Sequence, residues 1–221
     1  LRYHLYRKLE IARCDRILEI GCGTGVITSE LAERTNATIH GLDIDPAALS
    51  FFKNRLGERR LLLTAGAAGV LPFHDESFDL IVTHYLWLWV KRPEAALGEC
   101  HRVLKKGGCL AALAEPDYYK RIDEPDGHPS IKEFLSQDLK DKGADPDIGG
   151  KLEDIFSAAR LKTEAGMVSD EIYLGTDRGM FQQEWELLEK LGYPPNELDA
   201  LKGDTKARMT MPVCWAIGRK I

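Results

Sequence analysis

Residues 17–25 read ILEIGCGTG: an apolar run with one carboxylate, Glu19, followed by glycines at 21, 23 and 25. A strand ending in such a cluster must turn sharply, and without Cβ atoms the backbone there can approach a ligand closely. The next helix offers N–H groups that have no intrahelical partner. Asp43 ends a second apolar run about 20 residues on, the spacing at which an acid can take two ribose hydroxyls. A dinucleotide turn would read G-x-G-x-x-G, but here Val26 stands at the third glycine position and the glycine has moved to 25. A carboxylate at Glu19 would repel a pyrophosphate and favour a cationic group. Further chemistry-bearing residues follow later apolar runs: Thr83, His84 and Tyr85 after one, Glu115 and Asp117 after another.

The elements that must position these residues alternate. Strands are predicted over residues 16–20, 38–43, 60–65, 78–85 and 109–115, with helices over 26–34, from 46 onward, and over 93–104. Asp45-Pro46 opens the second of these helices, Asp as N-cap and Pro at the first helical position. The third is expected to end at Lys105-Lys106-Gly107-Gly108, with cations in its last turn and glycine after it. Alternating strands and helices imply a parallel sheet covered on both faces, with ligands beyond the carboxyl ends of its strands. Leu152, Ile155, Phe156 and Ala159 mark one further helix, and residues 161–174 and 211–221 two more strands. Segments of about 116–149 and 174–210 interrupt this pattern and read as insertions.

The chain has 221 residues, 44% of them hydrophobic, enough for one domain with a sizeable core. The net charge is -5, with no basic stripe of the kind a nucleic-acid binder shows. Arg59-Arg60 and Lys105-Lys106 read as solvated helix ends. No apolar run reaches the roughly 20 residues of a membrane span. The five cysteines are scattered and form no C-x-x-C pair, which suggests neither zinc nor a disulfide framework and fits a reduced, cytoplasmic setting.

Four ordered stretches, LEIGCGTG, GLDIDPAAL, LPFHDESFDLIV and HRVLKKGG, resemble the successive motifs of the class I S-adenosylmethionine-dependent methyltransferases of the small-molecule type. The resemblance covers about residues 15–115 and resumes at 150–170 and in the last strand. It implies a Rossmann-like α/β fold: a seven-stranded, mostly parallel sheet whose last strand is antiparallel, carrying helical lid insertions. It also implies that Glu19, Gly21, Cys22, Gly23 and Gly25 hold the methionine part of S-adenosylmethionine, with Glu19 near its amino group. Asp43 would bind the ribose and Ile44 touch the adenine. Where relatives often carry Gly-Asp-Ala, this chain has Gly66-Ala67-Ala68, so adenine would rest on backbone and apolar contacts there. Thr83, His84 and Tyr85 would lie beside the reactive methyl.

Methyl transfer needs an aligned acceptor more than a base, because the sulfonium is already an activated leaving group. His84 and Tyr85 are the catalytic candidates, as base or acceptor contact; the alternative is a polar end to the strand. Trp87 and Trp89 read as core, Glu115 and Asp117 as loop acids that solvated charge would explain equally well, and Tyr118 and Tyr119 as possible acceptor-pocket walls. His40 reads as structural. Arg2 and Tyr3 belong to a short amphipathic helix, which in relatives often folds over the cofactor. The expected activity is methyl transfer to a small-molecule acceptor, releasing S-adenosylhomocysteine, by a monomer or homodimer. A non-catalytic S-adenosylmethionine-binding protein and a nicotinamide-dependent oxidoreductase are the rivals. The two insertions, bearing Phe134, Leu135, Phe181, Trp185 and Leu188, are expected to form the wall and roof of the acceptor site.

Overall fold

Five short apolar runs, each followed by a turn or helix signal, become the parallel strands: β1 (Arg16–Ile20), β2 (Thr38–Asp43), β3 (Leu61–Ala65), β4 (Phe78–Thr83) and β5 (Leu104–Pro116). The computed structural model describes residues 2–55, 61–124, 131–173, 178–203 and 208–221. Arg59 and Arg60 lie outside these, as does the side chain of Phe181. Three more strands, β6 (Ile122–Glu124), β7 (Leu161–Tyr173) and β8 (Arg208–Lys220), complete the sheet. Its order is β3-β2-β1-β4-β5-β8-β6, with β7 along the other edge of β8. β8 runs antiparallel to β5, β6 and β7. Among the described residues the sheet therefore has eight strands rather than seven. β8 extends past β5, and the three residues of β6, from the first insertion, pair with that overhang.

Strand alternation sends successive side chains to opposite faces, and the core divides accordingly. Leu18, Ile20, Ile81, Leu110 and Ala112 face one layer with α4 (Pro93–Val103) and α6 (Ile148–Ala158). Ile17, Leu80, Val82, Ala111 and Leu113 face the other, with α1 (Arg2–Lys8) and α2 (Val26–Ala32). α3 (Pro46–Arg55) opens at Asp45, whose carboxylate accepts from the Ala47 N–H at 2.8 Å. His40 is buried, its ring edge-on to Phe73 and Phe78. None of the five cysteines forms a disulfide. Among the described residues, no helix is long and apolar enough to cross a membrane.

The end of α4 differs from the sequence expectation. The helix stops at Val103, and Leu104 is already extended at φ -72°, ψ 136°. Lys105 is thus a strand residue, not a solvated helix end. Its ammonium pairs with Asp79 at 2.6 Å, while the other Asp79 oxygen accepts the N–H groups of Asp15 and Arg16. The strand signal prevails because Leu104 and residues 109–114 are buried, an apolar gain that overrides the glycines at 107 and 108.

The two insertions build α5 (Ile131–Asp141), α7 (Arg178–Leu191) and α8 (Pro195–Gly203). Leu135 of α5, Leu188 of α7, and Leu198 and Leu201 of α8 pack with Tyr193 into a third, separate core. Phe134 lies edge-on to Tyr193, ring centroids 5.1 Å apart, and Trp185 packs against the same cluster. Segments more than 40 residues apart in sequence thus form one cap. Leu188 is 1% exposed. We expect Leu188→Ala to cost the cap about 2–5 kcal/mol. Hydrogen exchange should then speed up in α5, α7 and α8 while β1, β4 and β5 keep their protection.

Candidate functional site

The strand order reverses between β1 and β4, so the crevice beyond their carboxyl ends is where a ligand binds in an open sheet of this kind. All three glycines of the turn have positive φ: 77° at Gly21, 49° at Gly23 and 84° at Gly25. A Cβ on Gly25 would stand 2.1 Å from the Phe52 ring, whereas one on Gly23 would meet nothing within 4 Å. Gly25 is therefore required by packing as well as by conformation, and Gly23 presents bare backbone to open space. The turn is stitched to the end of β2. The N–H groups of Gly21 and Cys22 both donate to the Leu42 carbonyl, at 2.7 and 3.1 Å. The Gly23 N–H donates to one Asp43 carboxylate oxygen at 2.7 Å, and the Asp45 N–H to the other at 2.9 Å.

Cys22 turns its side chain into the core with Leu49 and Phe52, and burial pushes its thiol up to about 12. Only its main chain faces the crevice side of the turn, which narrows the role the sequence suggested. Glu19 is 2% exposed, and the Thr28 hydroxyl donates to it. Burial drives its pKa from 4.5 to about 8, with the Asp43 charge adding to the rise and the Thr28 hydrogen bonds opposing it.

Across β2 the Gly66 N–H donates to the Asp43 carbonyl at 2.9 Å, and residues 67–70 close a tight turn through Val70 N–H to Ala67 O at 3.1 Å. Ile44 and Val70 are 75% and 74% exposed, an apolar ledge at the ends of β2 and β3. Ala67 is exposed in that turn, and Ala68 packs beneath it.

Past β4 the site residues separate. Thr83 is fully buried, its hydroxyl accepting from the Trp87 indole at 2.9 Å, so it lies beneath the crevice and anchors Trp87 instead of lining the surface. Trp87 is core, against Phe156, but Trp89 is 50% exposed and is not. His84 and Tyr85 do lie together at the crevice, ring centroids 4.4 Å apart. Tyr85 adopts φ 54°, a strained conformation for a bulky side chain of the sort that collects at functional sites. Burial, helped by the Arg2 charge, lowers the His84 pKa to about 4, so the imidazole is neutral near pH 7.

Glu115 and Asp117 are both fully buried, which removes the solvated-charge reading. Asp117 pairs with Lys120 at 3.0 Å. Glu115 accepts the main-chain N–H groups of Leu86, Trp87 and Leu88 at 2.8, 3.1 and 3.4 Å. Burial raises its pKa to about 7 against those three hydrogen bonds. The turn it holds carries Leu86, whose side chain lies against Gly21. The only sequence signal for this role was an acid ending an apolar strand.

From His84 and Tyr85 a cleft of about 910 Å³ runs under the cap. The sheet lines it with Ala114, Pro116 and Val213, the first insertion with Tyr118, Arg121 and Leu135, and the second with Glu184 and Leu187. Arg2 and Tyr3 close its near end. Tyr119 is not among its walls: it is half exposed, 5.1 Å from the Lys140 ammonium.

A family model described as a methyltransferase domain matches residues 18–112. Those bounds contain the glycine turn, Asp43, the 66–70 turn and His84. Over residues 18–112, less than half of the chain, the sequence is similar to a methyltransferase domain. It is 34% identical to malonyl-[acyl-carrier protein] O-methyltransferase 1 of Coxiella burnetii over 63% of this chain and 48% of that protein. It is 35% identical to a demethylmenaquinone methyltransferase of Tropheryma whipplei over 54% and 49%. The matches thus span about half the length of these relatives. The YcgJ protein of Bacillus subtilis has the same fold, with a TM-score of 0.67 at 19% identity over 100% of this chain and 99% of that one.

Gly25→Ala should destabilise the domain by at least about 1–3 kcal/mol, from the left-handed φ and from displacing Phe52, read as a lower urea midpoint. Glu19 gives a pH signature. Its pKa of about 8 lies above the ordinary 4.5, so the folded chain keeps a proton that the unfolded chain has lost. Its contribution to stability is full below pH 4.5, falls as pH rises to about 8, and is flat beyond. Urea titrations at intervals from pH 5 to 9 should show a shallower decline for Glu19→Gln than for the unaltered protein.

Proposed function

We propose that this domain transfers the methyl group of S-adenosylmethionine to a small-molecule acceptor by in-line displacement. The observation that carries the reading is the Gly21–Gly25 turn tied to Asp43 through the Gly23 N–H, with the Glu19 carboxyl buried directly beneath. The residues fit the cofactor. Gly23 leaves its backbone open, Glu19 has a hydroxyl partner and, among the described residues, no cation paired with it, and Ile44 and Val70 expose apolar surface near the Asp43 carboxylate. Glu19 and the main chain of Gly21, Cys22, Gly23 and Gly25 would hold the methionine part, Asp43 the ribose, and Ile44, Ala67 and Ala68 the adenine. Thr83 would act at one remove, through Trp87.

The sulfonium of the cofactor supplies an already activated methyl. This chain has to bind, orient and exclude water, and orientation alone is worth roughly 7–11 kcal/mol. His84 and Tyr85 stand where the cleft meets the crevice, so we assign them to the acceptor end of the reaction. A neutral imidazole at His84 can accept a hydrogen bond from an acceptor hydroxyl or amine and, as a weak base, take its proton as the methyl is transferred. The relatives' names, one for the malonyl group of an acyl-carrier protein and one for demethylmenaquinone, support an acceptor of small organic type, free or carried on a protein. We place the whole chain in one methyltransferase unit: a core of about 11–115, 150–173 and 211–221, with the insertions as its lid. The non-catalytic reading leaves the cleft under the cap without a role. Val26 in place of the third glycine disfavours a dinucleotide, and the buried Glu19 carboxyl would regain its charge beside an ammonium group but not beside a pyrophosphate.

Titration calorimetry should show S-adenosylhomocysteine binding in the micromolar range and no binding of NAD. Asp43→Ala should weaken binding by roughly 1.5–3 kcal/mol, the scale of hydrogen bonds to a charged group. Unchanged affinity in a variant that still melts cooperatively would remove the ribose assignment, and turnover of S-adenosylmethionine to S-adenosylhomocysteine with any acceptor would end the non-catalytic reading.

A further inference from the structure

The cap end of the cleft holds a charge cluster that the methyl-transfer reading does not use. Arg121, at the start of β6, is 3% exposed and lines the cleft. Its Nε donates to both Asp123 oxygens, at 2.9 and 3.0 Å, and its terminal nitrogens reach Asp123 at 2.8 Å and Glu184 of α7 at 2.7 Å. Two carboxylates therefore face one guanidinium. Asp123 takes two of its nitrogens, and Glu184, the acid that lines the cleft, is left with surplus negative charge. Between this end and His84 the walls are apolar and adaptable: Leu88, Leu135, Leu187, Met209, Met211 and Val213.

We infer that the acceptor is an extended, largely apolar molecule whose end remote from the transferred methyl is free of negative charge and carries a hydroxyl or amine donor for Glu184. A half-buried carboxylate with spare acceptor capacity rewards a donor and penalises an anion, because like charges that are partly withdrawn from water are only weakly screened. The apolar walls reward surface area, and the methionines follow its shape. Arg2 lies at the opposite end, paired with Glu30 at 3.3 Å, so the polarity of the cleft runs from cationic near His84 to anionic under the cap. This inference rests on the methyl-transfer reading, since it takes the His84 end as the reacting end.

A matched pair of fluorescent probes tests it: N-phenyl-1-naphthylamine, neutral with one N–H, and its 8-sulfonate, the same skeleton with a negative charge. Both are titrated into protein saturated with S-adenosylhomocysteine, so that the Arg2 end is occupied. The amine should bind at least about tenfold more tightly than the sulfonate. Leu187→Trp, which narrows the cleft, should weaken the amine by a similar factor. Glu184→Gln should shrink the gap between the probes to about threefold or less. Leu187→Lys leaves the ion pairs intact and should strengthen sulfonate binding only. Sulfonate binding as tight as amine binding in the unaltered protein, or amine binding indifferent to Leu187→Trp, overturns the acceptor class. Failure of S-adenosylhomocysteine to bind at all, seen by calorimetry before any probe is added, overturns the methyl-transfer reading instead.

Discussion

The Asp43 carboxylate holds the crevice together. It ends β2, yet one of its oxygens accepts from Gly23 at the end of β1 and the other from Asp45 at the head of α3. A turn of three residues with positive φ has no ladder to hold it, and glycine loses more conformational entropy on ordering than any other residue. The hydrogen bonds to Asp43 and to the Leu42 carbonyl offset that loss by making the turn an extension of the β1–β2 pairing. The acid that would meet the ribose is therefore also the group that shapes the turn beside it. Binding and preorganisation reside in one side chain, which helps keep the site in shape before a ligand arrives.

A fully buried carboxylate does the same work on the other side of the switch point. Glu115 gathers three main-chain N–H groups at residues 86–88, and that turn presses Leu86 onto Gly21 while leaving Tyr85 in a strained conformation. A carboxylate out of water is costly unless its oxygens are occupied, and here backbone donors occupy them. Strands β2 and β5 thus each send one acid sideways into the turn of a neighbouring strand. The crevice is framed by these two cross-strand contacts more than by any contact within a single loop.

The cap obeys a different logic. Its helices come from two insertions and share a small core of their own, separate from both layers that sandwich the sheet. Arg121 crosses between the insertions to reach Glu184, so the same ion pair joins the halves of the cap and colours the far end of the cleft. A buried pair of this kind contributes little net stability but is costly to break, which suits a device that sets geometry.

Strand and helix periods, the Asp45-Pro46 helix start and the glycine turn with Asp43 were all legible in the sequence, because each depends on residues within a few positions or on a repeat of two or 3.6. The resemblance to the methyltransferases rests on four such local motifs, which lie largely within the residues 18–112 that match a methyltransferase domain. What could not be read locally was decided by burial. Lys105 reads as a helix-end cation, but the apolar residues on either side draw it into β5. Glu115 and Asp117 read as solvated acids, and Trp89 as core, because a sequence does not say which turn will close over which side chain. The eighth strand exists only because β8 outruns β5 and offers unpaired edge groups to residues 122–124. The chain's own order of residues determined the fold class and the place of the ligand turn. Tertiary contact between distant segments alone decided the protonation of Glu19 and His84, the hold of Glu115 on its turn, and the cleft beneath the cap, since desolvation and charge pairing depend on neighbours that chain distance does not encode.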